Sequence, residues 1–219
     1  MIRSIRGPVG QLEALIDDPG ALCTTGDPTG RLTGGRVVPP RAAVVLAHPH
    51  PLYGGTMHTK AVFQVAKAFC RLGCVVLRFN FRGVGSSQGA FDDGRGEMDD
   101  FRAAVSAAAE WFPGVDVWAA GVSFGAFVAM NVGAAHDRVS TLIGLATPVD
   151  THDYSLVRDS PKLKVFIHGE RDELCPLQSV KRLYAHAAEP KELVVIDAAG
   201  HLFDGRLTEV TEAIEDLLR

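Results

Sequence analysis

Short apolar runs alternate with stretches of helical spacing along most of this chain, and that alternation limits its fold more than any other feature. The runs are AAVVLA, CVVLRFNF, VDVWAAG, TLIGLA and LKVFIHG, with ELVVIDA as a sixth. Each is nearly continuous in apolar residues, which marks a strand of a sheet covered on both faces. Between them, residues 58–71, 96–112, 124–136, 176–188 and 205–218 carry apolar residues at helical intervals. Strand, helix, strand in alternation predicts parallel β-α-β units, an α/β fold with a mostly parallel central sheet and helices on both faces. A β-rich stretch is expected ahead of them over residues 8–38, with a turn at DPTG. The 219 residues suit one domain, residues 1–219, and 47% hydrophobic residues are enough to bury a sizeable core.

Charge and terminal sequence exclude several partners. Lys and Arg number 22 against 26 Asp and Glu, a net charge of −4, and the cations form no stripe, so no nucleic-acid partner is expected. MIRSIRGPVGQLEALIDD lacks the apolar core of a signal peptide, and no run approaches the roughly 18 apolar residues of a membrane span, which predicts a soluble cytoplasmic protein. Cys23, Cys70, Cys74 and Cys175 read as buried reduced thiols, because CRLGC has no second pair to complete a zinc site.

In open parallel sheets a ligand binds beyond the carboxyl ends of the strands. Those positions hold HPHPLYGG, RGVGSSQG, GVSFG, TPVD, GERDE and AGH. The pattern G-x-S-x-G occurs twice there, around Ser87 and around Ser123. Ser123 directly follows VDVWAAG and directly precedes FGAFVAMNVGAA, the strand, tight turn and helix of a nucleophile elbow. Gly121 and Gly125 answer the steric demand of such a turn. Ser87 is followed by AFDDGRGEMDD, which reads as a solvated glycine-rich turn, and Gln88 breaks the last glycine of a dinucleotide-binding fingerprint.

A serine hydroxyl needs a base to take its proton and an acid to hold that base in the right tautomer. His201, in AAGH after the last strand, is the base candidate, while His136, His152 and His186 look like surface or helix-end residues. Asp172, in HGERDE, is the acid candidate; Asp150 in TPVD is the runner-up, and Glu170 and Glu173 remain open. The oxyanion hole is expected from the N–H of Phe124 and one donor of the HPHPLYGG loop. Pro49 and Pro51 have no N–H, which favours Leu52 or His50 over Tyr53. A metal on His48, His50 and His58 is the weaker reading, since that loop carries no carboxylate.

Together HPHPLYGGTM, RFNFRGVGSSQG, GVSFG, HGERDELCP and AGHLF resemble the small bacterial α/β-hydrolases whose hallmark is an HPHP loop after the third strand. That group is related to carboxylesterases and dienelactone-type hydrolases, and the resemblance runs along nearly the whole chain. It implies an α/β-hydrolase fold in which Ser123, Asp172 and His201 match the catalytic triad. Dienelactone hydrolases carry a cysteine nucleophile where this elbow carries serine, which points away from lactones. Many relatives insert a helical lid where this chain has only TPVDTHDYSLVRDSPK, so no lid domain is expected. The implied activity is cleavage of a small-molecule ester or thioester through an acyl-serine, with no metal and no organic cofactor. Phe91, Phe124, Tyr53, Leu202 and Phe203 are candidates to line the pocket. A non-catalytic binding or scaffold protein and a metallohydrolase on the histidine-rich loop are the competing readings.

Overall fold

The structure, a computed structural model, describes residues 2–19 and 39–219. Eight strands form one sheet: β1 (Ile2–Gly7), β2 (Gly10–Asp17), β3 (Ala43–Ala47), β4 (Val75–Phe79), β5 (Val117–Val122), β6 (Val139–Leu145), β7 (Leu163–Gly169) and β8 (Lys191–Ile196). Their order is β1-β2-β4-β3-β5-β6-β7-β8. The β1–β2 and β2–β4 pairs are antiparallel and the rest parallel. The six apolar runs are thus the six parallel strands, and this is the α/β-hydrolase fold.

Both faces of the sheet are covered, which is why those runs have no polar alternation. Along β3, Ala43, Val45 and Ala47 enter one core and Val44 and Leu46 the other. The first core is closed by α2 (Arg95–Trp111) and α3 (Phe124–Ala135), the second by α1 (Lys60–Arg71) and α6 (Leu207–Leu217). In α1, Ala61, Val62, Val65, Ala66, Phe69 and Cys70 fall on one stripe, the spacing that seats a helix on a sheet. Fully burying side chains such as Phe69 and Phe101 stabilises by about 1.5–3 kcal/mol each.

Two expectations are corrected. The N-terminal β structure begins at Ile2, not at residue 8, and turns at Pro8 and Val9. Only Ile5 of IRSIRG is buried in this edge strand, so its apolar signal is faint. The DPTG turn and Cys23 lie outside the described residues. The polar stretch after β6 contains a short helix, α4 (Ser155–Asp159), held down by the buried side chains of Tyr154 and Val157. It is a single helical turn or so and forms no lid domain. A further helix, α5 (Leu177–His186), leads to β8. Among the described residues no helix is long and apolar enough to cross a membrane. Cys70, Cys74 and Cys175 are free and buried, and burial pushes their thiols up to about 12, 11 and 12.

Candidate active site

Three loops at the carboxyl ends of β5, β7 and β8 meet at one point. Ser123 sits between β5 and α3 with φ 55° and ψ −122°, a region L-residues rarely adopt. Its N–H donates to the Leu145 carbonyl at 2.8 Å, and its own carbonyl accepts from Ala126 and Phe127 at 2.8 and 3.2 Å. The turn is therefore tied to β6 on one side and to the first turn of α3 on the other. Gly125 is required because a Cβ there would fall 2.5 Å from the His48 carbonyl oxygen. The serine hydroxyl is thereby lifted off the strand end toward β8.

Ser123 Oγ lies 2.7 Å from His201 Nε2. His201 Nδ1 lies 3.0 and 2.9 Å from Asp172 Oδ1 and Oδ2. The His201 loop can cross over the end of β7 only because Gly169 has no side chain: a Cβ there would collide with the Ala199 carbonyl. Asp172 is buried, and desolvation acts to raise its pKa. The hydrogen bonds from His201 and the Cys175 N–H, with the charge of His201, outweigh that and hold it below the ordinary carboxylate value. The Leu174 and Cys175 N–H groups donate to Oδ1 at 3.0 and 2.8 Å.

The competing candidates have other partners. Asp150 accepts from Ser179 Oγ and Arg182. Glu170 accepts the Ala198 N–H at 2.9 Å, and Glu173 is exposed. Ser87 is buried rather than solvated, a correction to the expected surface turn. Its Oγ donates to the Asn80 carbonyl at 2.7 Å and accepts the Glu13 N–H at 2.9 Å.

The HPHPLYGG loop is also more structural than its histidines suggest. His48 is buried, with Nδ1 2.6 Å from the Pro49 carbonyl while Nε2 accepts the Phe81 N–H at 3.1 Å. Both ring nitrogens are used, and burial drives its pKa down to about 4. His58 is exposed, and no metal-sized cluster joins it to His48 and His50 among the described residues. The group of potential ligands there is Asp172, Cys175 and His201, all within 4.8 Å of one another. In that group His201 Nδ1 already faces the Asp172 carboxylate, and Asp172 also accepts the Cys175 N–H.

Of the expected oxyanion donors, the Phe124 N–H at the head of α3 has no partner among the described residues. The Leu52 N–H donates to His50 Nδ1 at 3.2 Å, and the Tyr53 and Gly55 N–H groups donate to the His50 carbonyl. That leaves the His50 N–H, also without a partner among the described residues, as the free donor of the two proposed in this loop. The His50 ring packs against Phe91 and Phe124, both at 4.9 Å between centroids, so those side chains form a wall beside the serine. Tyr53 is exposed, Leu202 is half-buried against the second core, and Phe203 is entirely core. His136 and His186 end helices as expected, but His152 is half-buried, its ring 3.9 Å from that of Phe127. A cavity of about 310 Å³ lies between α4 and α5, with His152, Tyr154 and Arg182 among its walls and none of Ser123, Asp172 or His201.

A family model described as serine aminopeptidase, S33, matches residues 38–166. The chain belongs to this S33 hydrolase family. The match takes in Ser123 and stops before Asp172 and His201, so the S33 signature stands on the elbow half of the site. An uncharacterized protein of Rickettsia prowazekii is 34% identical over 203 residues, covering 87% of this chain and 85% of its own. Among solved structures, an alpha-beta serine hydrolase homologue from Coxiella burnetii superposes with a TM-score of 0.88 at 35% identity, covering 100% of this chain and 97% of that one. A serine hydrolase without lid from Xanthomonas campestris gives 0.85 at 32% identity, covering 99% and 92%. The resemblance read from the HPHP loop and elbow is thus to the right group of lidless S33 hydrolases. One residue beside the site is not legible in the sequence: His168, a titratable side chain that follows the apolar VFI of LKVFIHG.

Proposed function

We propose that the protein is a carboxylesterase-like serine hydrolase that cleaves ester or thioester bonds of small acyl substrates through an acyl-Ser123 intermediate. The observation that carries this reading is the unbroken pair of contacts from Ser123 Oγ to His201 Nε2 and from His201 Nδ1 to Asp172. His201 takes the hydroxyl proton as Oγ attacks the substrate carbonyl, and Asp172 holds the ring with its proton on Nδ1 and stabilises the imidazolium. The carbonyl oxygen, now negative, is taken up by the N–H of Phe124 at the head of α3 and that of His50 in the loop after β3. As the intermediate collapses, the leaving alkoxide or thiolate receives the proton from His201 Nε2. Water, deprotonated by the same nitrogen, then attacks the acyl-serine; the bond from the acyl carbon to Oγ breaks, the acid leaves, and His201 Nε2 returns the proton to Ser123 Oγ. Among the described residues only the short α4 stands between β6 and β7, and a cleft without a lid domain there suits small soluble esters better than an emulsion surface.

The test joins a fluorophosphonate probe with p-nitrophenyl acetate turnover, each with and without a chelator. Labelling at Ser123, absent in Ser123→Ala, with chelator-insensitive turnover is the expected result. No labelling together with no turnover on esters, thioesters or amides would refute the proposal. Equal rates on long-chain emulsified and short-chain soluble esters would remove the short-acyl preference alone.

A further inference from the structure

His168 is the next-to-last residue of β7, four residues before Asp172, and its side chain is fully enclosed. Nε2 lies 2.6 Å from the Cys175 carbonyl oxygen. A carbonyl only accepts, so Nε2 carries the proton and Nδ1 is bare. That Nδ1 is buried and has no hydrogen-bond partner among the described residues. The same Nε2 is 3.4 Å from Asp172 Oδ2. Cys175 is thus held through both of its main-chain groups, its carbonyl by His168 and its N–H by Asp172 Oδ1 at 2.8 Å. An apolar residue would fill this position without burying an unpaired nitrogen, as Val165 and Ile167 do on the same strand. The polar ring therefore needs a reason beyond packing.

We infer that His168 is a positioning residue for the proposed triad: its N–H clamps the Cys175 peptide, and that peptide sets the Asp172 carboxylate square to His201. The inference rests on the serine-hydrolase reading. It accounts for the even fork of 2.9 and 3.0 Å from His201 Nδ1 to the two carboxylate oxygens. The Leu174 N–H shares in holding Oδ1 at 3.0 Å, but the side chains of Glu173 and Leu174 face solvent, so on this side of the carboxylate the buried anchor is Cys175. Burial lowers the His168 pKa by more than the Cys175 carbonyl and the Asp172 charge raise it. The ring accordingly stays neutral while His201 cycles, and supplies Asp172 with a dipole instead of a rival cation.

Two variants of the full chain test this. His168→Leu removes the donor and keeps apolar bulk; His168→Gln keeps an N–H of similar reach. On p-nitrophenyl acetate the leucine variant should lose about tenfold or more in kcat with KM within about twofold, and the glutamine variant should recover most of the loss. The readout that packing alone would not move is the far-downfield proton of His201 Nδ1–H, expected to broaden away in the leucine variant and return in the glutamine one. Wild-type kcat and an unchanged downfield proton in His168→Leu overturn the inference. If the leucine variant does not fold, ¹⁵N shifts of the wild type at neutral pH decide: His168 must be neutral with its proton on Nε2, and a proton on Nδ1 or on both nitrogens overturns the inference. Absence of fluorophosphonate labelling in wild type fails the hydrolase reading itself. Labelling and turnover indifferent to His168 fail only the positioning role.

Discussion

Ser87 and Ser123 occupy the same five-residue pattern, G-x-S-x-G, and the molecule uses them in opposite ways. Ser123 is held at φ 55° with its hydroxyl directed at an imidazole. Ser87 turns its hydroxyl inward, donating to Asn80 and accepting from Glu13, while the neighbouring Gln88 bonds to the main chain of Gln11 on β2. One segment keeps a hydroxyl available by straining the backbone; the other consumes a hydroxyl to attach a loop to a sheet edge. The motif fixes a tight turn in both places, and what surrounds the turn decides whether the oxygen can react. The loop that holds Ser87 is stitched throughout: Arg82 forms a buried two-pronged pair with Asp100, and Asn80 bridges Glu13 and Met57. Such a scaffold places the β4 end of the cleft with little freedom.

The contrast can be broken most directly at the nucleophile. Ser123→Ala is expected to lower kcat/KM on a short ester by a factor on the order of 10⁴ or more, with the melting temperature nearly unchanged. Activity retained there and lost in Ser87→Ala would reverse the two roles. Next in size, Asp172→Asn should cost roughly 10³- to 10⁴-fold by favouring the wrong His201 tautomer, whereas Asp150→Asn should leave turnover within about threefold. Comparable losses in the two asparagine variants would show that the acid is misassigned.

The scaffold side is sharpened by pH. His48, which pins the β3 loop to Phe81, titrates at about 4 when folded against 6.5 for a free ring. Between those values the unfolded chain binds the additional proton, so the contribution of His48 is complete above about pH 6.5 and is lost as pH falls toward 4. The loss amounts to roughly 3 kcal/mol over the whole window. Urea unfolding at pH 7 and pH 4.5 checks it: the drop in stability should be smaller by about 2 kcal/mol in His48→Asn than in wild type, and an equal drop speaks against a neutral structural histidine. The smallest effect belongs to Ser87→Ala. Leaving the Glu13 N–H and one Asn80 lone pair buried without the hydroxyl should cost about 1–3 kcal/mol, measured by denaturant midpoint, with kcat/KM within a few-fold of wild type. A stability change near zero would mean water replaces the serine at no cost.

Much of this was legible in the chain because period and position are local properties. Runs such as AAVVLA have no polar alternation, so they must be covered on both faces, and each became a parallel strand. Ser123 stood out by lying between a strand run and an alanine-rich helix. IRSIRG is not legible because an edge strand buries only one side chain and leaves no period to read. Ser87 reads as a surface turn because composition registers polarity but not whether a polar atom has a buried partner. His168 is silent for a related reason: a histidine next to an apolar run looks like tolerated core until its nitrogens have neighbours.

The sequence by itself determined the layering and the strand-turn-helix at Ser123, since both follow from which residues are adjacent along the polymer. Only the tertiary structure decided that Asp172 and not Asp150 faces His201, that the Leu52 N–H is taken up by His50, and that His48 braces the fold. Hydrogen bonds are directional and act over about 3 Å, so which of several eligible groups makes one depends on loop paths that close through space between residues 29 and 78 positions apart.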